Sequence, residues 1–361
     1  MKRYLLLSLF TLFLQPSFAQ NMTDPKENPG GLQPNQSLTP DRKDRTNNFY
    51  DNEITYSLPM ADLEITGEVE NPGKVDFSKL QKHSVIVKET LLKEDGSNGF
   101  VGAYRYDGYS LFDILNDRIL NKNNKAEFPP IIDLYVEVEN AKGEKVILSW
   151  GELYYPNFLH QILIATDVMR IVPSKTKDYW PLPSESRLIV GCDLITERNI
   201  SSPVRITVKS YPHSFTVNRE LSPLFSPDIT INNGAGTTGK IETLPASLQT
   251  ITLHTVFYGK GRGIHSTQPF SGVLLSELLA GEYPVNKVYL RNGLVTIVGK
   301  DGYRSVYTYS EIMNRNDQAG ILVVPTGKEE DGGKFRIFPS CDFFSDRAVK
   351  GVSEILIEKM N

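Results

Sequence analysis

The sequence predicts an α+β fold that is rich in strands, with mixed sheets and short helices, arranged as two tandem copies of one domain. Three observations lead to this prediction. Short apolar runs bounded by Gly, Pro, Asn and Asp recur along the chain, as is typical of strands. Helical periodicity is confined mainly to two short segments, 109–120 and 272–281. The same series of motifs occurs twice in the same order, which indicates an internal repeat.

The first twenty residues are typical of a secretory signal peptide. A basic pair, Lys2 and Arg3, precedes an apolar run at 5–14, and cleavage is expected near Ala19. The mature protein is therefore expected in the periplasm or outside the cell. No later stretch approaches the roughly 18 apolar residues that a membrane span needs, so no membrane span is expected.

The mature chain divides into a tether and two domains. Residues 21–58 are rich in Pro, Asn, Asp and Gly, and they contain too little apolar surface to offset the entropy of ordering them. This composition predicts a disordered tether. The two copies are predicted at 59–211 and 212–361, with the boundary near residues 211–222.

The net charge argues against a nucleic-acid-binding protein, and the cysteine count argues against a fold held together by several disulfides. A formal net charge of −4 and a pI near 5.8 argue against a nucleic-acid partner. Two cysteines allow one disulfide at most. A hydrophobic core must therefore stabilise the fold.

The predicted elements follow the same order in both copies. The first copy runs through the segments LEITGEVENPGKVDFSKL, HSVIVKETLL, YSLFDILNDRIL, DLYVEVEN, KVILSW, RLIVG and VRITVKS. The second runs through the segments DITINN, TITLHTVFYG, GVLLSELLAG, LVTIVGKDGYRSVYTYSEI and RIFPSCDFFSDRAVKGVSEILI. Apolar residues three and four apart predict the one clear helix of each copy.

These motifs resemble the oxidoreductase molybdopterin-binding domain, which has the sulfite oxidase fold. GEVENPGKVDFSKL resembles the family's opening strand, and YDGYSLFDIL and FSGVLLSELL resemble its helix start. The family closes with an R-L-V-V-P-G-D-x-x-x-x-R-x-V-K pattern. Arg336, Asp342, Arg347 and Lys350 match that pattern in the second copy. The resemblance covers roughly residues 61–360 and implies two divergent tandem domains of this fold.

The resemblance also indicates where the chain departs from the family. Catalytic members carry a cysteine thiolate that ligates molybdenum, at the end of the strand before the first helix. The matching strands here, HSVIVKETLL and TITLHTVFYG, contain no cysteine. No other common side chain replaces a soft thiolate donor readily. We therefore expect the pocket frame without conventional molybdenum chemistry.

An anion pocket is expected in the second copy. In the family, the R-x-V-K segment lies against the pterin phosphate, and a glycine-rich loop, GKGRG at 259–263, lies in the same copy. Backbone N–H groups of successive glycines, with Lys and Arg, can bind phosphate or carboxylate. The alternative is a tight exposed turn with two solvated charges. The candidate cofactor-binding residues are Gly259, Lys260, Gly261, Arg262, Gly263, Arg336, Arg347 and Lys350.

A metal site is a second hypothesis. His254, His265, Cys341 and Asp342 offer a nitrogen, sulfur and oxygen ligand set for a transition metal, provided that the fold brings them together. No H-x-x-x-H or C-x-x-C spacing occurs in the chain. The alternative is one hydrogen-bonded strand histidine and one exposed loop histidine. The remaining histidines, His83, His160 and His213, have no supporting context.

Both cysteines occupy one repeated pattern, which we call the closing segment of each copy. RLIVGCDLITER at 187–198 and RIFPSCDFFSDR at 336–347 share R-x-x-x-x-C-D-x-x-x-x-R. In one account, the arginines pair with the aspartate of the same loop and the cysteine packs as a small apolar group. In another, the copies pack about a pseudo-twofold axis and Cys192 forms a disulfide with Cys341. In a third, the cysteines act as thiolates that bind a metal or redox ligand.

The expected function is binding without conventional molybdenum catalysis. The ligand would be a small molecule, a metal or a molybdopterin-type cofactor, held near the second closing segment or between the copies. An aromatic segment, 152–158, is a candidate wall for a site between the copies. The alternatives are a molybdopterin-dependent oxidoreductase with atypical metal ligation and a structural partner in an envelope complex.

Overall fold

The computed structural model of the protein describes residues 32–33, 53–327 and 332–360. Within these residues the chain is rich in strands, its helices are short, and its sheets are small and include mixed ones, so these coarse features of the predicted fold are confirmed. No helix in the described ranges is long and apolar enough to cross a bilayer. The predicted signal peptide and most of the predicted tether lie outside the described residues.

In the described residues of the first half there are ten strands and two α-helices. The strands are β1 Thr55–Ser57, β2 Glu64–Gly67, β3 Gly73–Lys74, β4 Lys82–Leu92, β5 Asn98–Ser110, β6 Leu134–Asn140, β7 Lys145–Ser149, β8 Ile162–Arg170, β9 Arg187–Val190 and β10 Pro203–Ser210. The helices are α1 Leu111–Asn116 and α2 Trp150–Tyr154.

The described part of the second half has eleven strands and three α-helices. The strands are β11 Ile229–Asn232, β12 Thr237–Ile241, β13 Ile251–Leu253, β14 Phe257–Gly259, β15 Gly263–Ser266, β16 Phe270–Leu274, β17 Gly293–Gly299, β18 Arg304–Thr308, β19 Ile321–Pro325, β20 Phe335–Pro339 and β21 Val352–Lys359. The helices are α3 Leu275–Leu279, α4 Lys287–Asn292 and α5 Tyr309–Met313.

Each half contains two principal sheets with the same strand order. One sheet has the order β3-β2-β10-β6-β7 in the first half and β12-β11-β21-β17-β18 in the second. In these two sheets, β2 is parallel to β10 and β11 is parallel to β21, the last strand of each half. The remaining neighbouring strands are antiparallel. The other sheet has the order β4-β5-β8-β9 in the first half and β13-β16-β19-β20 in the second. Strands β2–β10 lie within 59–211, and strands β11–β21 lie within 212–361.

A hydrophobic core fills the space between the two sheets of each half. In the first half, Ile65 and Val136 of one sheet belong to the same buried cluster as Ile164 of the other. The core of the second half is built in the same way, but it also contains Ile195, which belongs to the closing segment of the first half. The cores of the two halves are therefore joined through this side chain.

Part of the predicted tether is ordered in the first half. Residues 55–57 form β1, which pairs antiparallel with β8, and the Ser57 N–H donates to the Gln33 carbonyl at 3.0 Å. Leu32 and Leu58 are buried in a cluster with first-half residues. The segment is polar on average, so its composition does not reveal the effect of these two leucines. Their burial supplies apolar contacts that the composition did not predict.

Both predicted helices are shorter than their apolar periodicity suggests. In the first half, β5 continues through Ser110. The Ser110 hydroxyl caps α1 by accepting a hydrogen bond from the Asp113 N–H at 3.1 Å. In the second half, β16 continues through Leu274. The first residues of each predicted helix pair with a neighbouring strand instead, so α1 and α3 begin later.

A glycine allows the strand before each of these helices to approach its neighbour closely. A Cβ added at Gly108 would lie 2.2 Å from the Ile164 carbonyl oxygen. At Gly272 it would lie 2.2 Å from the Val323 carbonyl oxygen. Because both clashes involve backbone atoms, a side-chain rotation cannot relieve them. This explains the glycine in both helix-start motifs.

Gly272→Ala is expected to lower the free energy of unfolding by about 1–3 kcal/mol, the usual cost of forcing an extra methyl group into a packed site. Urea denaturation monitored by circular dichroism measures the change. Gly281→Ala is the control, because a Cβ there meets nothing within 4 Å and should change stability by less than about 0.5 kcal/mol. An equal loss in both variants would refute the close-approach explanation.

Candidate functional site

The arginine that ends each closing segment turns back onto the aspartate of the same segment. Arg198 donates to Asp193 through Nε at 2.8 Å and Nη2 at 2.7 Å. Arg347 donates to Asp342 through the same two atoms, both at 2.7 Å. Paired N–H···O bonds of this kind are strong and geometrically specific. The predicted pairing with the aspartate is therefore confirmed for the last arginine of each segment, whereas the first arginine of the first segment, Arg187, pairs with Glu89 instead.

Each of these arginines also binds a glutamate of a short helix. Arg198 donates to both carboxylate oxygens of Glu152, at 2.9 and 3.0 Å. Arg347 donates to Glu311 at 2.9 Å. Glu152 lies in the first turn of α2 and Glu311 in the first turn of α5, so equivalent elements supply the second acid in the two halves.

The N-cap residues of these two helices connect the halves. Ser149 and Thr308 each form a capping box with the glutamate three residues later. The Ser149 hydroxyl also donates to Glu311, and the Thr308 hydroxyl donates to Glu152 at 3.3 Å. Each glutamate therefore binds the arginine of its own half and the hydroxyl group of the other half.

Together these groups form a buried charge cluster between the halves. Its ionisable members are Glu152, Asp193, Arg198, Glu311, Asp342 and Arg347, whose side chains are at most 2% exposed. Four carboxylates face two guanidinium groups, which gives a formal charge of −2. Burial raises the pKa of Glu152 to about 7, against the opposing effect of Arg198. Burial also raises the pKa of Asp193 and of Asp342.

One of the predicted anion ligands, Arg347, belongs to the charge cluster and not to the predicted anion pocket. Nε, Nη1 and Nη2 of Arg347 all donate within the cluster, so this side chain does not reach the GKGRG loop. Arg336 does not line that region either, because its guanidinium lies over the rings of Phe257 and Phe270, at 5.3 and 4.9 Å. The motif predicted the positions of Arg336 and Arg347 in the sequence, but it did not predict what their side chains contact.

The GKGRG segment borders a cavity of about 320 Å³, which we call the hairpin cavity. The segment makes the turn between β14 and β15, and Lys260 and Arg262 are exposed on it, as the solvated-turn alternative predicts. Both side chains also line the cavity, together with His265 and Lys350. The turn is thus exposed and forms one wall of a cavity.

The predicted anion-site residues divide into three groups. The cavity brings together Gly259, Lys260, Gly261, Arg262 and Lys350. Arg336 and Arg347 are elsewhere. Gly263 begins β15 with a φ of 72°, a backbone conformation that favours glycine, and it shapes the turn.

The hairpin packs against the second closing segment. Tyr258 forms a bridge with Phe344. A Cβ added at Gly259 would lie 2.2 Å from His265 Nε2 and 3.2 Å from Ser345 Oγ. Glycine at this position therefore allows the imidazole ring and the closing segment to lie close together on one wall of the cavity.

The proposed metal ligands His254, His265, Cys341 and Asp342 are not brought together. His265 lines the hairpin cavity, whereas Asp342 is held by Arg347 in the charge cluster. Within the described part of the chain, suitable donor atoms of three side chains come within 4.8 Å of one another in one group. That group is His83, Asp113 and His160. Two of its members are histidines for which the sequence offered no context.

A second cavity, of about 490 Å³, lies between the halves and is lined by both cysteines. We call it the inter-half cavity. The aromatic segment 152–158 contributes Phe158 to its wall, and the second half contributes Arg315. Cys192 and Cys341 are free thiols in the structure, so the two are not joined as the disulfide alternative requires.

The thiolate alternative is not supported by the surroundings of the two cysteines. Burial raises the pKa of Cys341 to about 12 and also raises that of Cys192, and the nearby Arg315 opposes this effect only in part. Both groups are therefore thiols at neutral pH, because desolvation of the anion outweighs the attraction of one guanidinium.

No protein-family model matches the sequence, and no curated protein matches it. The residues that carry the functional argument are therefore those of the two cavities and of the His83 group.

Proposed function

We propose that this is an exported binding protein with two sulfite-oxidase-like domains, which holds a small anionic ligand in the hairpin cavity. The observation that carries the proposal is that one cavity joins the GKGRG turn to Lys350 of the second closing region. These segments are nearly 90 residues apart in the chain.

The proposed duplication and fold are supported by the topology of the two halves. Both principal sheets repeat the same strand order, and the parallel pair occupies the same place in each copy of the mixed sheet. The closing segments repeat the same arginine–aspartate pairing. Independent sequences would rarely share this many matched connections.

The charges on the wall indicate the class of ligand. Lys260, Arg262 and Lys350 supply positive charge, and Asp301 and Asp346 supply negative charge. These carboxylates can accept hydrogen bonds, so a ligand that also carries a donor would be favoured. The best match is a phosphate or carboxylate that also carries a hydroxyl or amino group.

The residues do not fit a conventional molybdenum centre. Neither β4 nor β13 contains a cysteine, and both thiols of the chain line the inter-half cavity instead. The proposed function therefore involves binding alone.

Calorimetric titration of the untagged mature protein with inorganic phosphate and with glycerol 3-phosphate tests the proposal. We expect both to bind, and we expect the ester to bind more tightly because its hydroxyl groups can donate to Asp346. Lys260→Ala combined with Arg262→Ala should weaken binding of both by about 10-fold or more, since hydrogen bonds to charged groups contribute about 1.5–3 kcal/mol each.

The matched control combines Arg205→Ala with Lys240→Ala, which removes the same charge from exposed positions away from the cavity. It should leave both affinities unchanged. Asp346→Asn should reduce the preference for the ester. Equal weakening by both double variants would reduce the effect to general electrostatics, and stoichiometric molybdenum in protein purified from its native exporter would overturn the binding-only proposal.

A further inference from the structure

A group of three ligand-type side chains lies on the first half, far along the chain from the GKGRG turn. His83 is near the start of β4, Asp113 is in the first turn of α1, and His160 lies two residues before β8. Strands β4 and β8 pair with opposite edges of β5, and α1 continues directly from β5. The sheet order therefore brings the three residues to one place, which we call the histidine cluster.

The distances within the histidine cluster match those of a metal site. Asp113 Oδ2 lies 2.9 Å from His83 Nε2 and 3.6 Å from His160 Nδ1. Zinc–ligand bonds of about 2.0–2.1 Å in tetrahedral geometry place neighbouring donor atoms about 3.3 Å apart. The two observed distances lie on either side of that value. Because imidazole lone pairs lie in the ring plane and these two rings are stacked, one ring must rotate for both histidines to bind the same ion.

Ser110 orients one of the donor atoms. Its hydroxyl oxygen accepts from the Asp113 N–H at 3.1 Å and lies 3.0 Å from His160 Nδ1. Because the oxygen already accepts a hydrogen bond, the hydroxyl hydrogen can be donated to Nδ1. This hydrogen bond uses the Nδ1 lone pair, so the Ser110 hydroxyl must turn away before Nδ1 can bind an ion.

The two imidazole rings stack on each other and remain accessible. The rings of His83 and His160 stack with centroids 3.8 Å apart and an angle of 4° between their planes, and Phe112 packs edge-on against His160 at 5.7 Å. The side chains of the three ligands are 24%, 24% and 38% exposed. An ion could therefore enter from solvent and keep at least one coordination position for water.

The described residues of the second half contain no equivalent cluster, so the fold does not require one. Two residues before β19, at the place equivalent to His160, the chain has Ala319. The first turn of α3 retains an acid, Glu277. The two histidines are thus a feature of the first half alone, in a position where the other half uses an apolar residue.

We propose that His83, Asp113 and His160 bind one divalent transition-metal ion. Two imidazole nitrogens and one carboxylate form a borderline donor set, which suits Zn²⁺, Fe²⁺, Co²⁺ or Ni²⁺ better than Mg²⁺ or Ca²⁺. This site is independent of the hairpin cavity, and either can be tested without the other.

The test uses the untagged mature chain after treatment with a chelator, titrated with Zn²⁺ by calorimetry. We expect one ion per chain. His160→Ala and Asp113→Asn should each weaken binding by more than about 10-fold, because even outer partners of metal ligands contribute about 10–100-fold in affinity. Absorption of the Co²⁺ complex should show ligand-field bands in the wild type, and the two variants should lose them.

His213→Ala is the matched control, since His213 also pairs with a carboxylate, that of Glu358, but lies in no three-residue cluster. It should retain wild-type affinity. Circular dichroism of the metal-free variants checks that they fold. Zn²⁺ binding that is absent from the wild type, or that is equal in His160→Ala and the wild type, overturns the proposal. Phosphate affinity should be the same in all these variants, which separates this site from the proposed anion site.

Discussion

Arg198→Met is expected to lower the free energy of unfolding by about 3–5 kcal/mol, the usual cost of removing one partner of a buried ion pair. The substitution leaves Asp193 and Glu152 without the guanidinium that binds both of them. It also removes a donor to Thr308 of the other half. The loss should therefore affect the whole chain, and urea denaturation should show a lower midpoint in a single transition.

Two further variants make this expectation specific. Arg347→Met removes the equivalent group in the second half and should cost a similar amount, because Arg347 makes the same contacts with Asp342 and Glu311. Arg205→Met is the control, since its ion pairs are on the surface and its side chain is 45% exposed. Such pairs contribute about 0–1 kcal/mol. A cost for Arg198→Met no larger than that of the control would contradict the role of the cluster.

The free energy of unfolding is expected to rise as the pH falls from about 7.5 to about 5. In the folded protein, burial raises the pKa of Glu152 from an ordinary value of 4.5 to about 7, so this group binds a proton more tightly than in the unfolded chain. The stability contributed by this proton is fully present below the ordinary pKa, and it is lost as the pH rises through about 7. For one group the slope is at most about 1.4 kcal/mol per pH unit.

The surroundings of Glu152 give this effect its direction. Four carboxylates and two arginines face one another in the cluster, so the protonated form of one acid lowers the excess negative charge. The raised pKa values of Asp193 and Asp342 act in the same direction. Urea denaturation at a series of pH values measures the slope.

A pair of variants tests whether Glu152 is the source of the slope. Glu152→Gln should make the pH dependence between pH 5 and pH 7.5 less steep, because the amide does not titrate. Glu139→Gln is the control, since Glu139 is a partly exposed strand residue paired with Arg205. It should keep the wild-type slope. A slope that persists in Glu152→Gln would assign the effect to another group.

Several elements could be predicted from the sequence because their signals are local. Alternating apolar residues in SVIVKETLL and VRITVKS correspond to β4 and β10. The repeated Asp–Arg spacing predicted the pairing that the closing segments make. The partners Glu152 and Glu311 were missed, although a local signal was present. Both lie in an S/T-x-x-E capping pattern at the same place in each half.

Other features depend on how distant segments pack, and no linear pattern contains that information. His83, Asp113 and His160 come from three elements at irregular spacing, and only the order of β4, β5 and β8 brings them together. The inter-half cavity depends on how the halves dock. For the anion site, the motif located the residues along the chain, but burial decided the direction of Arg347.

The contacts across the boundary between the halves are reciprocal. The Phe343 N–H donates to the Tyr155 carbonyl at 2.7 Å, and the Leu194 N–H donates to the Asn314 carbonyl at 2.7 Å. Phe343 and Leu194 occupy equivalent positions in the two halves, and so do Tyr155 and Asn314. The pairs Ser149–Glu311 and Thr308–Glu152 are related in the same way.

Such exchange is the pattern of an isologous interface in a symmetric homodimer. Under the proposed duplication, a single ancestral domain could have associated with itself through these contacts. A substitution in a homodimer appears in both subunits, whereas a substitution in a fused chain appears in one half only. Fusion would explain how the histidine cluster came to lie on the first half alone and the basic hairpin turn on the second, around an interface that both halves still share.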